Sequence, residues 1–288
     1  MLKIGLGCIP CSIRQTIDES LIATNDDKLR ERIIRKSLEY LSSMDWNTTP
    51  LLLSINLQRI IWEETGNYDP FRELKRKCTE NALSYLPQIR MLIEREKEIR
   101  DRIRIALKAS LAGNIIDFGA NPNFDLGETL NRVLGMSLPS SADIFIDNLL
   151  NSKSIAFLGD NAGEIVFDRL LLEEIKNYGD ADITFYVKGS PMLNDAMKED
   201  AVRSGIEKFA KIKEVPLDGN DNEIIESLEK VASECMKHEI QISKGQANFE
   251  VFHEKPFWFV LLVKCPEIMR KTKKEYGTPI VSKGPFTL

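Results

Sequence analysis

The chain has 288 residues, 43% of them hydrophobic and 29% charged, which supplies one sizeable core or two modest ones and does not fit a disordered protein. A net charge of −5 leaves no basic footprint, so neither nucleic acid nor an anionic membrane is expected as a partner. No run approaches the ~20 apolar residues that span a bilayer, no signal-peptide pattern opens the chain, and five cysteines do not make a secreted disulfide framework; the expected location is cytoplasmic.

From about Ser12 to Ala112 the apolar period is helical. Leu29, Ile33, Ile34 and Leu38 form one stripe, and Leu57, Ile60 and Ile61 belong to another. Asp69-Pro70-Phe71 reads as a helix start, with Asp as the cap and Pro in the first turn. Pro87 is expected to break that helix, and a long charged helix through Ile89, Ile93, Ile99, Ile103 and Leu107 is expected to run to Gly113. Residues 114–123 are rich in turn formers, and two further short helical patterns reach Asn151.

Beyond Asn151 strands alternate with helices. Strands are predicted at 154–158, 182–187, 240–243 and 257–263, with a short one at 214–217 that Pro216 assigns to a sheet edge. Helices are predicted at 164–177, from about Asn194, and at 223–237. The fold class is therefore α/β: a mainly helical domain over 1–150, then a three-layer α/β/α domain with a mostly parallel sheet over 151–288.

Four strands end in polar turns, beginning Gly159-Asp160-Asn161, Lys188-Gly189, Lys244-Gly245 and Lys264-Cys265. In a parallel sheet these turns share one rim, where ligands bind. Asp160, Asn161 and Asp195 are hard oxygen donors suited to magnesium or manganese, with coordination positions left for water and substrate. Lys188, Lys244 and Lys264 are placed to meet phosphate, and the helix start after Asn161 favours an anion. An Asp-Asn pair before a helix is also a common cap, and a lysine at a strand end is commonly only solvated. The joint occurrence of two acidic and three cationic turns favours the site. Gln246 and Asn248 either contact substrate oxygens or cap the next helix. Glu164 reads as a first-turn charge on the helix dipole more readily than as a support for the site. Cys8 and Cys11 have metal or redox spacing, but no second pair completes a zinc site, and neither His238 nor His253 has a nucleophile partner.

The segments 159–164 (GDNAGE), 188–196 (KGSPMLNDA), 243–250 (SKGQANFE), 261–265 (LLVKC) and 113–119 (GNIIDFG) together resemble the damage-control phosphatase family, and Cys8-Ile-Pro-Cys11 fits its stand-alone prokaryotic branch. The resemblance implies a helical domain joined to an α/β/α domain and hydrolysis of small phosphorylated metabolites, with a divalent ion such as manganese, cobalt or nickel. It implies Asp160, Asn161 and Asp195 as metal ligands and Lys264 as a catalytic lysine. Leu-Val-Lys-Cys stands where the sugar-phosphate branch carries Arg-Thr-x-Lys, which argues against a sugar-phosphate substrate. Asn114 and Asp117 either line the pocket from the helical side or form Asx turns that stabilise their loop; the resemblance favours the pocket, with Asp117 or Asp160 positioning the attacking water. The rival readings are an S-adenosylmethionine-dependent carboxyl methyltransferase and a non-catalytic metabolite binder. Nothing in the sequence speaks to oligomeric state.

Overall fold

The computed structural model describes residues 1–113 and 126–286. The first half carries α1 (Cys8–Ala23), α2 (Asp27–Ser43), α3 (Pro50–Thr65), α4 (Arg72–Arg95), α5 (Ile99–Gly113), α6 (Leu126–Gly135) and α7 (Ser141–Asn151). Then follow β1 (Ser154–Leu158), α8 (Glu164–Tyr178), β2 (Asp182–Lys188), α9 (Lys198–Ser204), β3 (Lys211–Val215) and α10 (Asp221–Cys235). The chain closes with β4 (Ile240–Lys244), α11 (Gly245–Phe252), β5 (Trp258–Leu262), α12 (Pro266–Thr272) and β6 (Pro279–Lys283). Caps set several starts: Asp26 accepts from the amides of Lys28 and Leu29, Thr49 from that of Leu52, and Asn220 forms a capping box with Glu223.

The sheet order is β3-β2-β1-β4-β5-β6, with all neighbours parallel except β6, which runs antiparallel to β5. The chain fills one side of β1 with β2 and β3 and then crosses to the other with β4 and β5. The order therefore reverses between β1 and β4, and the crevice that binds ligands in such sheets opens at their carboxyl ends. β3 lies at the edge, as expected, but spans Lys211–Val215 and not 214–217, so Pro216 stands just past its end.

Strand side chains alternate between two cores. Ile155, Phe157, Phe185, Ile242 and Val260 face one helical layer, while Ala156, Leu158, Tyr186, Phe259 and Leu261 face the other. This is the α/β/α sandwich expected. The first layer includes Leu86, Ile89, Leu107 and Phe145 from α4, α5 and α7, so packing crosses the boundary placed near residue 150. No helix among the described residues is long and apolar enough to cross a membrane.

Three local expectations need correction, and one strand is added. Pro87 lies inside α4, and the break falls at residues 96–98 instead. An interior proline costs roughly 3 kcal/mol. Burying Leu86, Ile89 and Ile93 returns about 1.5–3 kcal/mol each, so packing wins. Asp69 does not cap α4; its carboxylate lies 2.9 Å from the buried Lys75 ammonium. The helix expected from Asn194 begins at Lys198, because residues 194–197 are spent on backbone bridges described below. The edge strand β6 carries only Ile280 and Val281 as an apolar signal, too short a run to mark a strand in the sequence.

Candidate functional site

Asp160 and Asn161 leave β1 at the switch point. The turn after β2 is folded back onto them. Asn161 and Asp195 form an antiparallel backbone bridge, the Ala162 amide donates to the Asn194 carbonyl at 2.9 Å, and the Ala196 amide to that of Asp160 at 2.8 Å. Leu193, just before, holds a left-handed φ of 46°, a costly conformation for a branched residue that these bridges impose. Three buried oxygen-donor side chains from two strand ends are thereby brought into one place.

The Asn161 amide nitrogen donates to Asp160 Oδ2 at 3.0 Å and to Glu164 Oε2 at 3.1 Å, which leaves its carbonyl oxygen uncommitted by these two bonds. Burial lifts the Asp160 carboxyl well above its ordinary pKa; Glu164 and Asp195 push the same way, and Lys264 and Lys188 pull it down. Crowded buried carboxylates of this kind fit a cation. Among the described residues no three His, Cys, Asp or Glu side chains form a metal-holding group by themselves. A divalent ion would thus take Asp160, Asp195 and the Asn161 carbonyl oxygen, a hard donor set that leaves positions for water and phosphate.

Gly245, at the first turn of α11, is the floor beneath Asp160. Its φ is +77°, and a Cβ there would stand 1.7 Å from Asp160 Oδ2. Only glycine lets β4 end so close to the β1 carboxylate.

The three lysines divide. Lys188 Nζ donates to Asn248 Oδ1 at 3.0 Å and lies 3.6 Å from Asp195 Oδ2, within the site. Lys264 is half-buried and its charge acts on Asp160; its backbone is pinned where the amides of Lys264 and Cys265 donate to Gln246 Oε1 at 2.7 and 3.0 Å. Lys244 is different. Its ammonium contacts Glu164 at 3.0 Å, Asp168 at 3.2 Å, and the Ser110 hydroxyl and carbonyl at 2.7 and 2.9 Å. Three N–H donors are fully occupied by these partners, so Lys244 braces the site from below and does not meet substrate. Burial opposes its charge, yet Asp168 and Glu164 outweigh that and raise its pKa.

A description of the damage-control phosphatase ARMT1-like domain matches residues 6–279. The chain belongs to that family. It is 28% identical to a damage-control phosphatase of Pyrococcus horikoshii over 100% of both chains, and 28% identical to one of Archaeoglobus fulgidus over 93% of this chain and 95% of that one. An uncharacterized protein of Methanocaldococcus jannaschii is 33% identical over 98% of this chain and 96% of its own length. The crystal structure of a DUF89 family protein from Pyrococcus horikoshii superposes with a TM-score of 0.79 at 27% identity, covering 98% of this chain and 99% of that one.

Within this damage-control phosphatase fold, Asp160, Asn161, Asp195 and Lys188 form one cluster on which the Lys264 charge acts, while Asn114 and Asp117 lie outside the described residues. Asn248 is a support rather than a substrate contact. Its amide donates to the carbonyls of Gly159 and Lys244, both at 2.9 Å, and its oxygen accepts from Lys188. Glu164, read as a helix-dipole charge, instead joins Asn161 to Lys244. Sequence reasoning missed Ser110 and Asp168. Burial lifts the Asp168 carboxyl to about 7 against the pull of Lys244, and Ser110 Oγ donates to it at 2.6 Å. The available signal was the pair Glu164 and Asp168, four apart on an otherwise apolar helix face. Cys8 stays apart: its sulfur accepts from the Gly5 amide at 3.4 Å, and burial raises its pKa to about 11, so it is a thiol.

Proposed function

We propose that the chain is a divalent-metal-dependent phosphatase that hydrolyses phosphomonoesters of small, damaged metabolites. The supporting observation is the juxtaposition of Asp160, Asn161 and Asp195 with Lys188 and Lys264 at the switch point of the sheet. A bound divalent ion would polarise a phosphoryl oxygen and acidify water. Lys188 and Lys264 bind the phosphate as point charges and stabilise its equatorial oxygens as the ester bond loosens. Asp160 orients the attacking water; a water oxygen–phosphorus bond forms, the ester oxygen–phosphorus bond breaks, and the alcohol leaves with a proton. Asn248 keeps Lys188 aimed at that point. Direct attack by water is favoured over an aspartyl-phosphate because the spaced Asp-x-Asp pair of phosphatases that form one is missing: position 162 is Ala.

The test is hydrolysis of an artificial aryl phosphate with manganese. Asp160→Ala should abolish metal-dependent turnover while the folded far-ultraviolet spectrum is kept; unchanged turnover would reject the site. Saturable binding of S-adenosylmethionine without metal would favour the methyltransferase reading instead.

A further inference from the structure

A second concavity lies beside the phosphate site, on the β2–β3 side. It has a volume of about 260 Å³, smaller than the roughly 300–1,000 Å³ of pockets that enclose whole drug-sized ligands, and so holds part of a molecule. Its wall includes Ser190 and Met192 from the turn that starts at Lys188 and ends at Asp195. The Gly189 amide donates to the Val215 carbonyl at 2.8 Å and the Asp195 amide to the Met192 carbonyl at 2.8 Å. One short segment therefore builds both places, and a molecule with its phosphate on Lys188 and Lys264 has its other end directed along this segment toward the wall.

The chemistry of the wall is unlike that of the phosphate site. Arg59, its cation, donates to the Gly219 carbonyl and, at 3.0 Å, to Asn56 Oδ1, which fixes its place in the wall and leaves other N–H donors of the guanidinium. Asp218 presents an acceptor: the Ser190 hydroxyl donates to its Oδ1 at 2.7 Å and the Tyr68 hydroxyl to the same oxygen at 3.3 Å. Both bonds use Oδ1, which leaves Oδ2 for a ligand. Trp62 and Tyr68 bring their rings together at 4.5 Å between centroids with a 39° tilt, beside apolar Ile55 and Leu217. An aromatic wall next to a carboxylate held by two hydroxyls suits a ring that carries a hydrogen-bond donor.

We infer that this pocket is the subsite for the leaving group, and that the enzyme prefers phosphomonoesters whose alcohol bears a ring with a hydroxyl or N–H donor directed to Asp218. The inference rests on the phosphatase reading above and adds to it the class of alcohol.

The experiment compares two esters that differ in one group, 2-(4-hydroxyphenyl)ethyl phosphate and 2-(4-methylphenyl)ethyl phosphate, with manganese present. The wild-type protein should show a kcat/KM about tenfold higher for the hydroxyl ester, the worth of one hydrogen bond to a charged group, carried in KM. Asp218→Ala should bring that ratio close to one, and Trp62→Leu should lower both ring esters relative to glycerol 3-phosphate. A wild-type ratio near one, or a ratio that Asp218→Ala leaves intact, overturns the inference. The two free alcohols are titrated in parallel by ligand-observed NMR. If neither ester turns over, the phosphatase reading fails, and the pocket is judged by binding alone: it stands if the hydroxyl alcohol binds wild type more tightly than the methyl alcohol and Asp218→Ala removes the difference, and falls otherwise.

Discussion

The Lys244 ammonium lies 3.0 Å from Glu164 Oε1, and neither side chain has any exposure to solvent. The charge pair sits directly beneath Asn161, which Glu164 holds through a second hydrogen bond. A buried pair of this kind contributes little over an apolar replacement of both partners, but removal of one partner strands the other.

Lys244→Met should therefore destabilise the protein by about 3–5 kcal/mol, because Glu164 and Asp168 would both lose their buried cation. Urea unfolding monitored by circular dichroism measures this. A loss under about 1 kcal/mol, the scale of an exposed pair, would contradict the buried brace.

Gly245→Ala places a methyl group where Asp160 Oδ2 now stands, at a backbone φ of +77°. Strain of about 1–2 kcal/mol follows from the left-handed backbone alone. Displacement of Asp160 by about 1 Å should lower turnover roughly 100-fold. Aryl phosphate hydrolysis at saturating manganese reports the second effect, and wild-type rates would show that Asp160 does not need its present position.

Manganese at about 100 times its dissociation constant should raise unfolding free energy by about 2.7 kcal/mol, since the folded site alone gathers Asp160, Asn161 and Asp195. Asp195→Ala should remove most of that gain, measured by denaturation with and without a chelator. An equal gain in the variant would place the ion elsewhere.

Glu19 is buried on α1, where burial raises its pKa to about 7 from 4.5, the Gln58 amide donating at 2.9 Å pulls it down, and Asp69 pushes it up. A raised carboxyl favours the protonated fold, so this residue costs nothing below the unfolded value of 4.5 and its cost grows as pH rises to about 7. Glu19→Gln should thus match wild type at pH near 4.5 and exceed it in stability at pH 8, by on the order of 3 kcal/mol. Thermal melts across that range decide it; a constant difference at every pH would refute the assignment.

The legible parts of the site were those whose signal is local. Asp160, Asn161 and Asp195 stood out because acidic and amide residues followed apolar strands, and a parallel sheet places all strand ends on one rim. Lys244 occupies the same kind of position as Lys188, yet the two lysines point to opposite fates. The distinction depends on Glu164, Asp168 and Ser110, which arrive from α8 and α5. A strand-end lysine carries no mark of what will pack beneath it. Pro87 shows the same limit, since a local breaker was overridden by contacts from Leu86, Ile89 and Ile93.

The sequence by itself determined the layers and most strand positions, because side-chain alternation acts within a few residues. Only the tertiary structure decided which charges face a ligand and which lie beneath the site. It also decided that Gly245 must make room for Asp160, and that the turn after Lys188 borders a second pocket. Those outcomes turn on distances between segments far apart in the chain, which are set when the sheet order brings β1 and β4 side by side.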